Sequence, residues 1–360
     1  MSELAEVERL ISILVMQEDA ETIYSLIQTE RNPIFSMEII PYYALFVQSC
    51  QEFIGKNSLP ELIAKDLRDI RNHIKGYACS FGKTQKRVAF VDDTQNRDFK
   101  EQLKFEFLKK INIHLNLGTY WTDDKKVIGN TQQLADFLAV ESMFDPKLKE
   151  KNYQMGYQIG SFVSSIRDGF ANSFNYHPII ERKYTSVAIN YYCDINTNKK
   201  NDLFSKELSK EINLFYLHLL CNMNFVKHIL KPLFTDGNTW VFRVEYIVTY
   251  YTLRALERLK NHCESNKDIV VEMKDISDIS KDGNKIFKTQ LRNCMMHYNL
   301  ENAEVITLKN IDKPFYGIIE NCFDGMSYQD YLSDLHSLSD KIINYLETRF
   351  DFSNVKLEKL

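Results

Sequence analysis

Glycine and proline are scarce in this chain, 12 and 7 among 360 residues. A turn-rich β fold needs both to reverse direction at short intervals, so their scarcity favours helices rich in Leu, Ile, Lys and Glu. The seven cysteines are scattered and contain no Cys-x2-Cys pair. That argues against a zinc ribbon or a disulfide framework and for reduced thiols in a cytoplasm. No P-loop, Gly-x-Gly-x-x-Gly fingerprint, zinc signature or nucleophile elbow is present, and no cofactor is expected. The apolar run over residues 10–16 is too short to span a bilayer and lacks a basic segment before it, so no signal peptide and no membrane span are expected. The net charge of −4 lacks the strong positive balance of a general nucleic-acid coat, leaving room for a local basic pocket.

What the chain does have is 44% hydrophobic and 26% charged residues, ordinary for a globular protein long enough for two or three compact domains. Its 23 Phe and 20 Tyr suggest aromatic packing, with base stacking as an alternative use. The expected fold class is all-α, with two helical-bundle domains. Residues 1–150 form the first, 151–202 a connecting helix and linker, and 203–360 a bundle of four or five helices. Helical periodicity covers residues 3–29, 34–54 and 61–81. A polar loop is expected over 83–97, with a short extended piece at 88–91. Further helices are expected at 99–115, 131–142, 146–170, 203–234, 240–263 (capped by Thr239), 285–300, 315–322 and 327–350. Residues 179–195 fit either a strand or a buried helix.

The stretch that organises these elements runs from Gln290 to Tyr298. On a helix with Arg292 at zero, Asn293 falls at about 100° and His297 at about 140°. Leu291, Cys294, Met295 and Tyr298 fall on the opposite arc. One face is apolar, and the other presents a guanidinium, an amide and an imidazole together. A guanidinium can hold a phosphate through two parallel hydrogen bonds. An imidazole can take or give a proton near neutral pH. Asn293 can donate to a phosphate oxygen or fix the imidazole.

Arg292, Asn293 and His297 with Tyr298 after them resemble the Arg-x4-His motif of the HEPN superfamily. The resemblance implies an all-helical, usually dimeric domain over roughly residues 203–352, and in many members metal-independent RNA cleavage. The function it points to is an endoribonuclease that cuts RNA by attack of its own 2′-hydroxyl. Phage defence or toxin action is the context the family implies, with a possible neutralising or activating protein partner. The alternative is a non-catalytic helical module that binds a nucleotide, RNA or protein in the same pocket.

A weaker copy precedes it. Setting Arg71 on Arg292 places Asn72 on Asn293, Tyr77 on Tyr298 and Gly76 on His297. Upstream, Glu38 falls on Glu245, and an acid on that neighbouring helix could orient Arg292 or His297. The bland reading of Glu245 is a surface ion pair with Arg243 or Lys260. The pattern suggests a tandem duplication whose first copy has lost its histidine. In this frame His73 lies on the apolar arc, as a core residue does. The competing frame, Arg68 to His73, would use it as a catalyst. One intact histidine per chain supplies one proton role, so a homodimer that joins two C-terminal motifs is expected. A monomer pairing its own two repeats is the alternative.

Overall fold

The computed structural model describes the chain except residues 1–2, 56–60, 107–108, 110–113, 139–143, 185, 199–200, 202, 266–272, 299 and 301–307. The fold is predominantly α-helical with one small sheet. Among the described residues no helix is long and apolar enough to cross a membrane.

Helix α1 spans Glu3–Thr29. Asn32 caps α2 (Pro33–Glu38) by accepting from the amides of Ile34 and Phe35, and Pro33 sits where a missing N–H costs nothing. The apolar stretch divides at Ile39, and α3 covers Ile40–Ile54. All of its residues from Pro41 to Cys50 are buried, so this part of α3 is enclosed on every side, while its last turn reaches the surface. Gly55 ends it in the left-handed region (φ 68°), as a C-cap glycine does. Helix α4 (Glu61–Ile74) packs on α3 and stops before the expected residue 81, followed by a 3₁₀ turn over Gly76–Ala78. Residues 56–60, between the expected helices 34–54 and 61–81, lie outside the described residues.

The loop expected over 83–97 is instead a helix, α5 (Phe81–Glu101). Its buried positions are Phe81, Thr84, Val88, Asp92, Thr94, Gln95 and Asp98. Most fall at helical spacing, but polar side chains fill most of them, so hydrophobic periodicity could not find it. Asp92 is buried by pairing, with Gln132 Nε2 at 2.7 Å, Thr197 Oγ1 at 2.8 Å and Lys210 Nζ at 2.5 Å. The helix expected over 99–115 falls partly outside the described residues, and residues 102–105 have left the helix.

A hairpin of β1 (Leu117–Trp121) and β2 (Val127–Asn130) follows, unforeseen in the sequence. Strand β3 (Tyr191–Ile195) pairs with the other edge of β1, and β4 (Glu358–Lys359) pairs with β3, all antiparallel. Among the described residues of the undecided 179–195 stretch, the last five form the strand β3. Asn130 caps α6 (Thr131–Phe137), and α7 (Leu148–Phe174) runs along α1.

Helix α8 (Lys210–Asn224) begins later than residue 203 because Ser209 caps it, while Asn213 reaches back to the carbonyls of Ser205, Leu208 and Ser209. The chain then widens into a π turn (Phe225–Leu230) and tightens into a 3₁₀ turn (Lys231–Leu233). Pro232 cannot donate to the ladder, so a regular helix cannot continue there. Helix α9 covers Thr239–Ser265. Its cap is Asn238, which accepts from Val241 N at 2.9 Å, while the Thr239 hydroxyl goes to Asp19 instead. Helix α10 (Met273–Ile286) lies between the expected helices 240–263 and 285–300, where none was foreseen, and α11 (Thr289–Met296) carries the motif. Phe315 and Tyr316 adopt positive φ (52° and 54°), so α12 starts only at Ile318 and ends at Cys322. Phe315 packs on the Phe242 ring and Tyr316 bonds Glu18, contacts that hold this uncommon backbone. Ser327 caps α13 (Tyr328–Glu347).

One hydrophobic core runs from Ile11 to Leu346. Phe35 meets Phe225, Tyr43 stacks on Trp240, and Phe46 meets Tyr298 edge-on. The N-terminal helices thus form one wall of the space in which the motif helix sits.

Candidate functional site

Helix α11 is shorter than its sequence pattern, ending at Met296 with His297 in extended backbone (φ −141°, ψ 154°). Helix ends leave carbonyls without intrahelical donors. Here Arg243 Nη1 donates to the carbonyls of Cys294 (2.6 Å) and Met295 (3.0 Å), and Ser49 Oγ donates to that of Met296 (2.8 Å). Arg243 is itself held by Asp19, at 2.9 Å from Nε to Oδ2. The same carboxylate accepts from Tyr298 OH (2.6 Å) and Thr239 Oγ1 (2.9 Å). Burial pushes the Asp19 carboxyl up, while Arg243, Tyr298 and Thr239 pull it back. Tyr298 is therefore an interior anchor, with the Arg243 guanidinium 4.6 Å above its ring.

This anchoring turns His297 outward while Tyr298 stays inside. His297 Nδ1 lies 2.9 Å from Glu52 Oε2, and Arg71 Nη1 lies 3.0 Å from Glu52 Oε1. One carboxylate on α3 thus bridges the histidine of the C-terminal motif and the arginine of the weaker copy. Gln48 Oε1 also accepts from Arg71 Nη1, at 3.2 Å. Arg292 donates to Asn293 Oδ1 at 2.9 Å, so the amide steadies the guanidinium rather than the imidazole. Among the described residues, the buried Nε atoms of Arg71 and Arg292 have no hydrogen-bond partner.

Two further groups complete the cluster. Burial pulls the half-buried Lys75 ammonium down, and the nearby positive charges of Arg71 and Arg292 add to that, with Glu52 opposing. Burial pushes the Tyr251 phenol up, and the adjacent Arg292 guanidinium pulls it back. Arg71 and His297 therefore share Glu52, and Lys75 lies within electrostatic reach of Arg71, Arg292 and Glu52, in a protein whose net charge is −4. Basic groups clustered this way favour an anion.

Glu52, Lys75 and Tyr251 were not foreseen. Glu52 stands near the end of an otherwise apolar helix, and its charge there was the available signal. Lys75 precedes the glycine that aligns with His297.

Other candidate residues lie elsewhere. Glu245 is buried and pairs with Lys231 Nζ (2.7 Å) and His336 Nε2 (3.2 Å), reaching neither Arg292 nor His297. It is not the surface pair with Arg243 or Lys260 either, since its partners come from the chain before α9 and from α13. Asn72 lines a separate cavity on another side of α4. His73 lines that cavity too, with Nδ1 3.2 Å from Asp136 Oδ2, away from the arginine cluster. Tyr77 is buried with its hydroxyl 2.7 Å from His218 Nδ1, and burial pushes that imidazole down to about 4. Among the described residues no three His, Cys, Asp or Glu side chains converge as metal ligands.

Glu38, aligned with Glu245, has a different fate. It is 1% exposed, its Oε1 has no partner among the described residues, and burial pushes its carboxyl well above the ordinary 4.5. It fills the space a Cβ at Gly129 would need. Because its folded pKa is raised, the native state holds this proton to higher pH than the unfolded chain. Stability is thus lost as pH rises from 4.5 through the folded value. Glu38→Gln cannot ionise, so its urea midpoint should gain on the wild type between pH 5 and pH 8. Parallel pH profiles for the two proteins would contradict this account.

Set against family models, curated proteins and solved structures, the chain matches none of them.

Proposed function

We propose that the chain is a metal-independent endoribonuclease of HEPN type, with its site assembled from both motif copies of one chain. The observation that supports this most directly is that Arg71 and His297 share Glu52, with Lys75 close enough to feel the charges of Arg71, Arg292 and Glu52. Arg71 and Arg292 would hold the scissile phosphate and neutralise the charge that builds on it. Glu52 orients the His297 ring through Nδ1, leaving Nε2 to take the 2′-hydroxyl proton. The oxygen then attacks phosphorus, and the departing 5′-oxygen needs a proton. Lys75, its ammonium disfavoured by burial and by two guanidinium groups, is suited to give it. The lysine would stand in for the histidine that the first copy lacks, so a second chain is not required to supply two proton carriers. Asn293 acts by fixing Arg292, and Tyr298 by anchoring the end of α11.

The test is cleavage of RNA in EDTA, with 2′,3′-cyclic phosphate ends as product. Arg71→Ala and Arg292→Ala should each lower the rate by about 10²–10³-fold, the usual effect of removing one donor to a developing anion. Light scattering at the assay concentration decides between one chain and two. Wild-type cleavage by Arg71→Ala would rule out the one-chain site, and activity confined to the dimer would return the reading to paired C-terminal motifs. Phosphate or RNA binding without cleavage would favour the non-catalytic alternative.

A further inference from the structure

A half-open apolar hollow of about 480 Å³ is lined by α4, α5 and α6 together with Phe144. It is within the usual size range of small-ligand sites. Phe90, Phe99 and Phe144 line it, and the rings of Phe99 and Phe144 meet edge-on at 5.5 Å. Phe90 and Phe144 are 64% and 45% exposed, so two phenyl faces border the opening where a flat ligand could stack.

Gln95 on α5 is one of the residues lining the cavity. It is 4% exposed, yet neither Oε1 nor Nε2 has a hydrogen-bond partner among the described residues. Leaving one amide donor and one amide acceptor unpaired in an apolar site is costly, and a ligand edge offering the complementary pair removes that cost. Asp98 stands one helical turn further along the same lining, and Asp69 faces in from α4. The cavity's arginine is already committed, because Arg87 forks onto Asp136 at 2.9 and 2.6 Å. Negative charge in excess and no uncommitted arginine argue against a phosphate in this cavity. A neutral, flat heterocycle that carries an amino group fits all of these features.

We propose that this cavity is a nucleobase pocket. In it the Gln95 amide pairs with a ring nitrogen and an exocyclic amino group, Asp98 accepts from amino hydrogens, and Phe90 stacks on the ring. Glutamine pairs bidentately with adenine in this manner elsewhere in nucleic-acid recognition. The base can belong to an RNA strand or to a free nucleoside, and the proposal does not depend on RNA cleavage. The strand source is geometrically open, since α4 presents Asn72 and His73 to this cavity and Arg71 to Glu52, which also meets His297.

Calorimetric titration of the full chain with adenosine tests the assignment. Binding is expected, and Gln95→Leu, which keeps the volume but removes the amide, should weaken it about tenfold or more. Phe90→Ala, at an exposed position that the fold does not need, should weaken it by about tenfold through lost stacking. Inosine, which offers a carbonyl where adenosine has its amino group, should bind more weakly than adenosine. A 2′-O-methyl adenosine oligonucleotide cannot be cut by 2′-hydroxyl attack and separates the two sources. Binding much tighter than adenosine, and sensitive to Gln95→Leu, assigns the base to a strand; equal binding assigns it to a free nucleoside. No binding of adenosine, cytidine or guanosine at millimolar concentration would overturn the proposal. Undiminished adenosine binding by Gln95→Leu would do the same.

Discussion

His297→Ala should lower RNA cleavage by about 10²–10⁴-fold, the usual contribution of a positioned acid or base. Its melting temperature should stay close to that of the wild type. The expectation of unchanged stability rests on exposure: the side chain is 40% exposed and its partner Glu52 is 49% exposed. Such a contact contributes little to folding. Glu52→Gln should produce a smaller fall, because the amide can still contact Nδ1 but cannot stabilise the imidazolium. A phosphorothioate substrate with an activated leaving group offers a further check, since a group that only takes the 2′-proton should matter whatever the leaving group. Unaltered cleavage by the His297 variant would remove the histidine from the mechanism. A variant that melts early would instead mean that the ring is structural.

Asp19→Ala is expected to destabilise the protein by about 3–5 kcal/mol, because it strands a buried guanidinium without its counter-ion. Arg243 and Asp19 are 4% and 0% exposed, so water cannot replace the lost partner. The same change frees Tyr298 and Thr239, which also end on this carboxylate. Urea unfolding measures the loss, and a change under about 1 kcal/mol would contradict a buried, obligatory pair. The effect should also reach His297. Arg243 holds the last carbonyls of α11, and the next residue is His297. At a temperature where the variant is still folded, its cleavage should therefore fall further than its stability alone explains. Arg243 would then be a positioning residue for the histidine.

Much of the helical architecture was legible in the sequence because its cause is local. Scarce glycine and proline, helical apolar spacing and start signals such as Asn32-Pro33 and Ser327 act within a few residues of one another, whereas the Ser209 cap that starts α8 was missed. The two faces of the motif were legible for the same reason: Arg292 and Asn293 lie apart from buried Leu291, Cys294 and Met295. Helix α5 was not legible, because its inner face is polar and stays dry only through partners such as Lys210, distant in sequence. The end of α11 was not legible either. Periodicity carries the helix on to Tyr298, whereas Arg243 and Ser49 take its terminal carbonyls and allow the backbone to extend at His297. Above all, spacing along the chain could align Arg71 with Arg292 but could not say that Arg71 and His297 share one carboxylate. That was decided by tertiary packing, which seats α11 against α3 and leaves one carboxylate, Glu52, between the two copies.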